Sequence, residues 1–410
     1  MGKLFTGRLQ VSIDVGTTKI CVLVAQQLDQ DRVELLGVGK APSHGLHKGV
    51  VIDVAKTIHS IKTAVEEAEI MTGVKIEQAL LGISGAHISS RNCHGAVPIK
   101  TGEVREYDIQ SALAAARAFP IPEGQQILHV LPQYFSIDGQ ERLQDPCGMH
   151  GIRLEVNAHI ILGAISSVQN LIKCCQKAGV RVQDIILEQL ASADAVLCDD
   201  EQKLGVGVLD IGGGTADLAI YQHGSIRHTR VFPVAGNHFT HDLAVGLRTS
   251  IDEAERLKKT YGFSYFEPNK PNQLVEVELV HGYQKEMIHI DTIAFILKVR
   301  AQELLGLVKH EIEHYNLQLF MRAGLVITGG GSLLLGMKDL AQSMLKMPVR
   351  IGRPRIEFGL PESLDNPIYA TGYGLIIHTL KREKNNALKR HGPLVSRIFS
   401  RMKSWVSEFF

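Results

Sequence analysis

The sequence predicts an α/β protein of two related halves, and three observations carry that prediction. Two distant stretches, VSIDVGTTKICVLVA (11–25) and VGVLDIGGGTADLAIY (206–221), repeat one pattern: an apolar strand, an Asp at its end, a Gly-rich turn with Thr, and a second apolar strand. Between them helix-like and strand-like stretches alternate, as in VAKTIHSIKTAVEEAEIMTG followed by IEQALLGISG, which marks α/β rather than all-α or all-β chains. The length of 410 residues exceeds one ordinary core and favours a duplicated or multidomain architecture.

Composition narrows the function classes. The chain is 45% apolar with a formal net charge of +1, which gives no support to nucleic acid as a partner. The six cysteines (Cys21, Cys93, Cys147, Cys174, Cys175 and Cys198) form no CxxC pair and no zinc-ribbon spacing, so reduced thiols in a cytosolic protein are expected. The start, MGKLFTGRLQ, lacks an apolar h-region, and no stretch approaches ~18 uninterrupted apolar residues. Neither export nor membrane spanning is expected.

The first element, the hairpin at 11–25, sets the chemistry. A glycine turn exposes successive backbone N–H groups without intervening Cβ atoms, so phosphate oxygens can approach and be hydrogen-bonded. The hydroxyls in Gly16-Thr17-Thr18 and, in the second hairpin, Gly212-Gly213-Gly214-Thr215 add donors. Asp14 and Asp210 stand where a carboxylate can hold a hydrated Mg²⁺ against the phosphates. Either hairpin alone reads as readily as an ordinary turn capped by Asp, whereas two facing each other would clamp one polyphosphate. A third element, AGLVITGGGSLLLGM (323–337), repeats strand, glycine turn and helix start, with Gly329, Gly330, Gly331 and Ser332 suited to a nucleotide's base and ribose edge. No G-x-x-x-x-G-K-[ST] stretch occurs, so this is not a P-loop chain.

In this order the residues resemble the actin, Hsp70 and sugar-kinase ATPase superfamily. Its first phosphate motif looks like 11–20, which brings Lys19 into the site, its first connecting motif like LEQLASADAV (187–196), and its second phosphate motif like 206–221. Its adenosine motif looks like 325–337 and its second connecting helix like NPIYATGYGLII (366–377). The resemblance implies ATP and Mg²⁺ as cofactors. It makes Glu188 the polar residue that orients the attacking water or hydrated magnesium, although one carboxylate does not tell whether hydrolysis is more than weak. DEAERLKKTYG (252–262) looks like the nucleotide-clamping helix, which assigns the ribose and adenine to Glu255 and Lys258 with Lys259 beside them. Residues alone support equally a solvated helix of mixed charge there.

Two further stretches, LLGISGAHISSRNCHGAVPI (80–99) and ILHVLPQYFSIDGQERLQDPCGMHGIRLEVNAHIILG (127–163), resemble the inserted subdomain of the FtsA family of bacterial cell-division proteins. The division this implies is 1–83 with 365–380 as first core subdomain, 84–163 as insert, 164–230 with 306–364 as second core subdomain, and 231–305 as a smaller subdomain. The family implies self-assembly at the cytoplasmic face of the inner membrane and anchoring of the tubulin-like FtsZ through its C-terminal tail, with later division proteins as further partners. The acidic tail would dock on 231–305, where KVRAQELL presents Arg300, a residue that reads otherwise as a solvated helix charge. A pilus-assembly protein of the PilM type would share the insert, and a small-molecule kinase would share the core.

His310-Glu311-Ile312-Glu313-His314 satisfies the zinc-peptidase pattern H-E-x-x-H. Here Leu304, Leu307, Val308, Glu311 and Ile312 form one packing face and the histidines fall toward the polar side, so a structural helix is expected.

After Leu380 the character changes. KREKNNALKRHGP (381–393) reads as a flexible linker. Beyond it, at 394–410, Leu394, Val395, Ile398, Phe399, Met402, Trp405, Val406, Phe409 and Phe410 fall on one half of a helical wheel. Ser396, Arg397, Ser400, Arg401, Lys403, Ser404, Ser407 and Glu408 fill the other half. Aromatic residues against one face and Arg397, Arg401 and Lys403 on the other describe a helix lying on an anionic phospholipid surface.

Overall fold

A computed structural model of the chain describes residues 7–28, 33–265, 273–280, 285–355 and 364–390. The first half opens with β1 (Leu9–Val15), β2 (Lys19–Gln27) and β3 (Val33–Pro42), followed by the short β4 (Leu46–His47) and β5 (Val50–Val51), helix α1 (Val54–Thr72) and β6 (Gln78–Ile83). The insert contains β7 (Ser89–Pro98), α2 (Glu106–Ala116), β8 (Gln125–Ile137), β9 (Gln140–Leu143) and β10 (Arg153–Ala164). Then come α3 (Ile165–Lys177), β11 (Arg181–Leu187), α4 (Glu188–Val196) and α5 (Asp199–Leu204). The second half carries β12 (Val206–Ile211), β13 (Ala216–Gln222), β14 (Ser225–Phe232), α6 (Gly236–Leu247), α7 (Ile251–Tyr261), β15 (Leu274–Glu278), β16 (Lys285–His289) and α8 (Ile290–His314). It closes with β17 (Leu325–Thr328), α9 (Met337–Leu345), β18 (Val349–Ile351) and α10 (Ala370–Arg390).

The duplication is visible in the sheets. One five-stranded sheet runs β11-β6-β1-β2-β3 and the other β18-β17-β12-β13-β14. Each is an antiparallel three-strand meander extended by two parallel strands. Asp14 faces Cys21 in the first hairpin and Asp210 faces Asp217 in the second, so the register repeats as well as the order. β1, β2, β12 and β13 are buried almost throughout, which is why their sequences run apolar rather than alternate.

The insert has its own core, built on Ile109, Phe135, Leu154, Val156 and Ile160, and its sheet is ordered β7-β10-β8-β9. It docks on edge strand β14 of the second half through polar side chains that satisfy the strand's free carbonyls. Gln133 donates to the carbonyl of Ile226 at 2.9 Å and Ser90 to that of Thr229 at 3.0 Å. His159 reaches Thr229 Oγ1 at 2.9 Å, and burial pushes this imidazole down to about 3, so it docks as a neutral group.

Four expectations change. Residues 164–187, expected in the second core subdomain, belong to the first: β11 is the edge strand of the first sheet, in parallel pairing with β6. The insert interrupts the first half's own strand–helix series, so α3 and β11 beyond it complete the first sheet rather than begin the second half. The stretch 381–390, expected as linker, continues α10. Lys381 pairs with Asp194 at 2.8 Å, Arg382 with Asp184 at 2.6 Å, and Glu383 receives Arg8 at 2.7 Å, so charges that read as solvent-loving are ties to the first half. Leu307, expected on the packing face of α8, is exposed, while Leu304, Val308, Glu311 and Ile312 are buried. α8 also runs unbroken across the expected boundary at 305/306. Residues 391–410, with the candidate membrane helix 394–410, lie outside the described residues.

His310 and His314 are exposed with ring centroids 5.9 Å apart. Glu311 between them points inward to His228 Nε2 at 2.8 Å. Among the described residues no group of three or more His, Cys, Asp or Glu is placed to hold a metal ion directly. No disulfide joins any of the six cysteines, and no described helix is long and apolar enough to cross a membrane.

α4 and α10 cross between the halves at a glycine. A Cβ on Gly374 would lie 1.9 Å from the carbonyl oxygen of Ala191, so the helices touch backbone to backbone. Gly374→Ala should therefore cost at least about 2 kcal/mol through overpacking, read as a lowered unfolding temperature. An unchanged melting curve would show that the crossing is loose.

Candidate functional site

The two glycine hairpins meet tip to tip. A Cβ on Gly213 would lie 1.8 Å from Thr18 Oγ1, and one on Gly214 2.3 Å from Thr17 Oγ1. Only glycine allows this approach. Thr18 Oγ1 bonds Asn237 Oδ1 at 3.1 Å, and the N–H of Gly49 donates to Thr17 Oγ1 at 3.2 Å. Behind the tips opens a cleft of about 740 Å³.

Nearly all the residues expected to bind nucleotide or metal line this cleft: Asp14, Gly16, Thr17, Thr18, Lys19, Glu188, Asp210, Gly212, Gly213, Gly214, Thr215, Glu255, Lys258, Lys259, Gly329, Gly330 and Gly331. Ser332 does not. It is buried, and its hydroxyl donates to the carbonyl of Gly329 at 2.7 Å, closing the turn rather than facing a ligand. Gly329 has φ +79°, and a Cβ there would stand 2.1 Å from Asp210 Oδ1, so this turn requires glycine twice over.

Helix α7 starts on Ser250, whose side chain accepts from the N–H of Glu253. This phase aims Glu255 and Lys258 at the cleft. Lys258 Nζ donates to the carbonyl of Gly236 at 3.1 Å and to Thr240 Oγ1 at 2.8 Å, and sits 2.6 Å from Glu255 Oε2. Lys259 reaches the other oxygen of Glu255 at 3.1 Å. The mixed-charge helix is thus organised on the cleft wall, not merely solvated.

Arg300, read in the sequence either as a partner contact or as a solvated helix charge, has acidic neighbours of its own. It bridges Asp242 at 2.5 and 2.8 Å and also contacts Glu303, so its charge is neutralised within its own subdomain.

Four carboxyl groups converge where the hairpins meet. Burial pushes Asp14 up to about 6, against the pull of Lys19 and with the push of Asp210. Burial likewise raises Asp210, although Ser192 and Thr371 donate to its Oδ2. Asp217 is pushed up to about 7 by burial while Ser84 and Thr215 pull it down. Glu188 is raised well above the usual carboxylate range by burial, then by Asp14, Asp217 and Asp210. Such a set favours a cation. With no three-ligand cage among the described residues, it fits an ion that keeps its own water and completes its shell with a ligand's oxygens, the habit of Mg²⁺.

Sequence reasoning missed Asp217, Ser84, Ser192 and Thr371. Asp217 had a signal: two residues beyond Thr215 on β13, it shares that residue's face. Ser84 donates to Asp217 from 133 positions away and Thr371 to Asp210 from 161, distances at which sequence carries no local sign.

Family and structure comparisons agree with this geometry. The family model for the cell division protein FtsA matches residues 207–374, and that for the SHS2 domain inserted in FtsA matches 85–162. The cell division protein FtsA of Pseudomonas aeruginosa is 39% identical over 100% of both chains. That of Neisseria meningitidis serogroup B is 38% identical over 97% of this chain and 98% of the relative, and that of Escherichia coli K12 is 34% identical over 98% of each. Among solved structures, the PilM–PilN type IV pilus biogenesis complex aligns with TM-score 0.66 at 17% identity, covering 90% of this chain and 98% of that one. MreB5 of Spiroplasma citri bound to AMPPNP aligns with TM-score 0.57 at 18% identity, covering 93% and 99%. These likenesses establish an actin-like ATPase fold.

The raised carboxyl groups give stability a pH dependence. Their pKa is higher folded than unfolded, so their contribution is fully present below the ordinary carboxylate value and lost as pH rises through the folded values. In the ligand-free chain the unfolding temperature should fall between about pH 4 and about pH 7. Asp217→Asn should flatten that fall by an amount on the order of a few kcal/mol. Parallel curves for the two proteins would contradict the assignment.

Proposed function

The chain belongs to the FtsA family of bacterial cell division proteins, and we propose that this actin-like member binds ATP with Mg²⁺ in the interhairpin cleft and self-assembles on the inner membrane to anchor FtsZ. The observation that carries the nucleotide reading is the tip-to-tip contact of the two hairpins, Gly213 on Thr18 and Gly214 on Thr17, above the carboxylates of Asp14 and Asp210. Backbone N–H groups from both turns would hold the phosphates. Asp14 and Asp210 would hold the hydrated ion, which when bound neutralises phosphate charge. Lys258, Glu255 and the Gly329–Gly331 turn would receive ribose and base.

Glu188 is the residue for positioning water. Burial, and then Asp14, Asp217 and Asp210, raise it well above the ordinary carboxylate range. The relatives at 34–39% identity are cell division proteins, whereas the likeness to the PilM–PilN complex is one of fold, so the pilus reading and the kinase reading are set aside.

The tail 394–410 supplies the membrane contact through Ile398, Phe399, Met402, Trp405, Val406, Phe409 and Phe410, with Arg397, Arg401 and Lys403 toward anionic headgroups. One such helix binds reversibly, since each basic residue adds only ~1 kcal/mol near anionic lipid, and a polymer carrying many tails makes attachment stable. The FtsZ tail would dock on 231–305, where Arg300 must exchange Asp242 for the peptide's carboxylate.

Millimolar ATP with Mg²⁺ should raise the unfolding temperature, by the equivalent of about 2.7 kcal/mol at a hundredfold excess over Kd. Asp210→Asn, which keeps partners for Ser192 and Thr371, should remove most of the shift. No shift in the parent chain would end the nucleotide reading. Trp405→Glu should detach the full chain from anionic liposomes in co-sedimentation while the ATP shift survives, because a carboxylate on the apolar face costs a few kcal/mol against a marginal affinity. Retained sedimentation would end the membrane reading.

A further inference from the structure

The halves repeat strand for strand, and the positions where the repeat fails are informative. Directly paired residues on neighbouring strands share a face of the sheet. Across the first sheet one such row reads Asp14, Cys21, Lys40; across the second the matching row reads Asp210, Asp217, Val231. The first row ends in a cation and the second has none. The turns differ likewise: Asp14 matches Asp210 at an offset of 196 positions, and the same offset sets Lys19 against Thr215. The first half has thus placed two ammonium groups where the second half has the neutral side chains Thr215 and Val231.

Both lysines line the cleft, and both rest on one buried aromatic ring. Lys19 Nζ stands 4.9 Å and Lys40 Nζ 4.7 Å from the centroid of Tyr369. Lys19 also donates to the carbonyl of Ile368 at 2.5 Å, and Lys40 bonds the Tyr369 hydroxyl. Neither ammonium group has a carboxylate within ion-pair distance among the described residues. Glu67 stands close by, yet it accepts the backbone N–H of Lys40 rather than its side chain. An aromatic face satisfies one exposed cation by only about 0.5–1 kcal/mol, and here two like charges share it. Among the described residues the pair has no anion in direct contact, Asp14 and Asp210 acting on Lys19 only at longer range.

We propose that Lys40, oriented by Tyr369, is a second phosphate-contacting cation of the cleft, acting beside Lys19. The proposal rests on the nucleotide reading above and adds to it a residue from β3, outside every glycine motif. A phosphate chain entering between the hairpins meets both ammonium groups and supplies the anion in direct contact that neither has. The plain structural role, Lys40 packing on Tyr369 to steady the start of α10, makes a different prediction.

The test is isothermal titration of the full chain, its Lys40→Gln variant and its Lys40→Arg variant with MgADP, MgATP and adenosine. Lys40→Gln should weaken ADP and ATP about tenfold or more, the effect of one charge-assisted hydrogen bond. It should leave the affinity for adenosine and the ligand-free unfolding temperature unchanged, and Lys40→Arg should recover most of the phosphate-dependent affinity. ADP and ATP affinities within about twofold of the parent's, a parallel loss for adenosine, or a lowered ligand-free unfolding temperature with no rescue by Arg would overturn the proposal and leave nucleotide binding standing. If the parent chain binds none of the three, the nucleotide reading falls and this proposal with it.

Discussion

The carboxylate of Asp210 is the point on which the two halves agree. Ser192 from α4 and Thr371 from α10 both donate to its Oδ2, and the two helices can bring them there only because Gly374 lets α10 lie on the backbone of α4 at Ala191. One buried acceptor therefore fixes the end of β12, the first connecting helix and the second connecting helix together. A buried carboxylate is tolerated when its oxygens are hydrogen-bonded, and costly when they are not. Its other oxygen faces Gly329, so the third glycine turn is set by the same group. The cleft exists because these four segments converge.

The insert is joined to the same helix from the other side. His129 on β8 accepts the N–H of Leu187 at 3.2 Å, one residue before Glu188. A register shift between Ile161 and Leu162 of β10 breaks the β8 ladder beside it, the kind of bulge that re-aims a side chain. Burial pushes His129 down to about 4, which keeps the accepting nitrogen free of a proton. The insert thus touches the second half along β14 and the cleft through the start of α4, and a change in its seating would be felt at both.

Electrostatics divides the labour between the halves. The second contributes Asp210 and Asp217, the first contributes Asp14 with Lys19 and Lys40, and all five line one cleft. Burial raises the acids above the ordinary carboxylate range, and the lysines lean on Tyr369, so groups of both signs stand in one cleft without a direct ion-pair partner for the lysines among the described residues. A cation carried on a polyphosphate, the ligand proposed for the cleft, would suit both sets, the metal toward the acids and the phosphate toward the lysines.

Local pattern determined much of this in the sequence itself. Strand burial, glycine turns and an Asp at a strand end are written within about a dozen residues, and so were both hairpins and the Gly329–Gly331 turn; the roles of Glu255 and Lys258 and the bounds of the insert came from family resemblance, since local pattern left the α7 helix equally readable as a solvated one. The apolar stripe at 394–410 is legible from local pattern too. What tertiary structure decided was every choice made by a distant partner. β11 joined the first sheet because β6 was the free parallel edge, not because of its place in the chain. Residues 381–390 stayed helical because Asp194 and Asp184 were waiting for Lys381 and Arg382. Arg300 turned to Asp242, 58 positions away, Ser332 turned inward, and Thr371 reached Asp210 from 161 positions away. Periodicity reports which face of an element is buried, but not which neighbour buries it, and polar side chains take their roles from the neighbour.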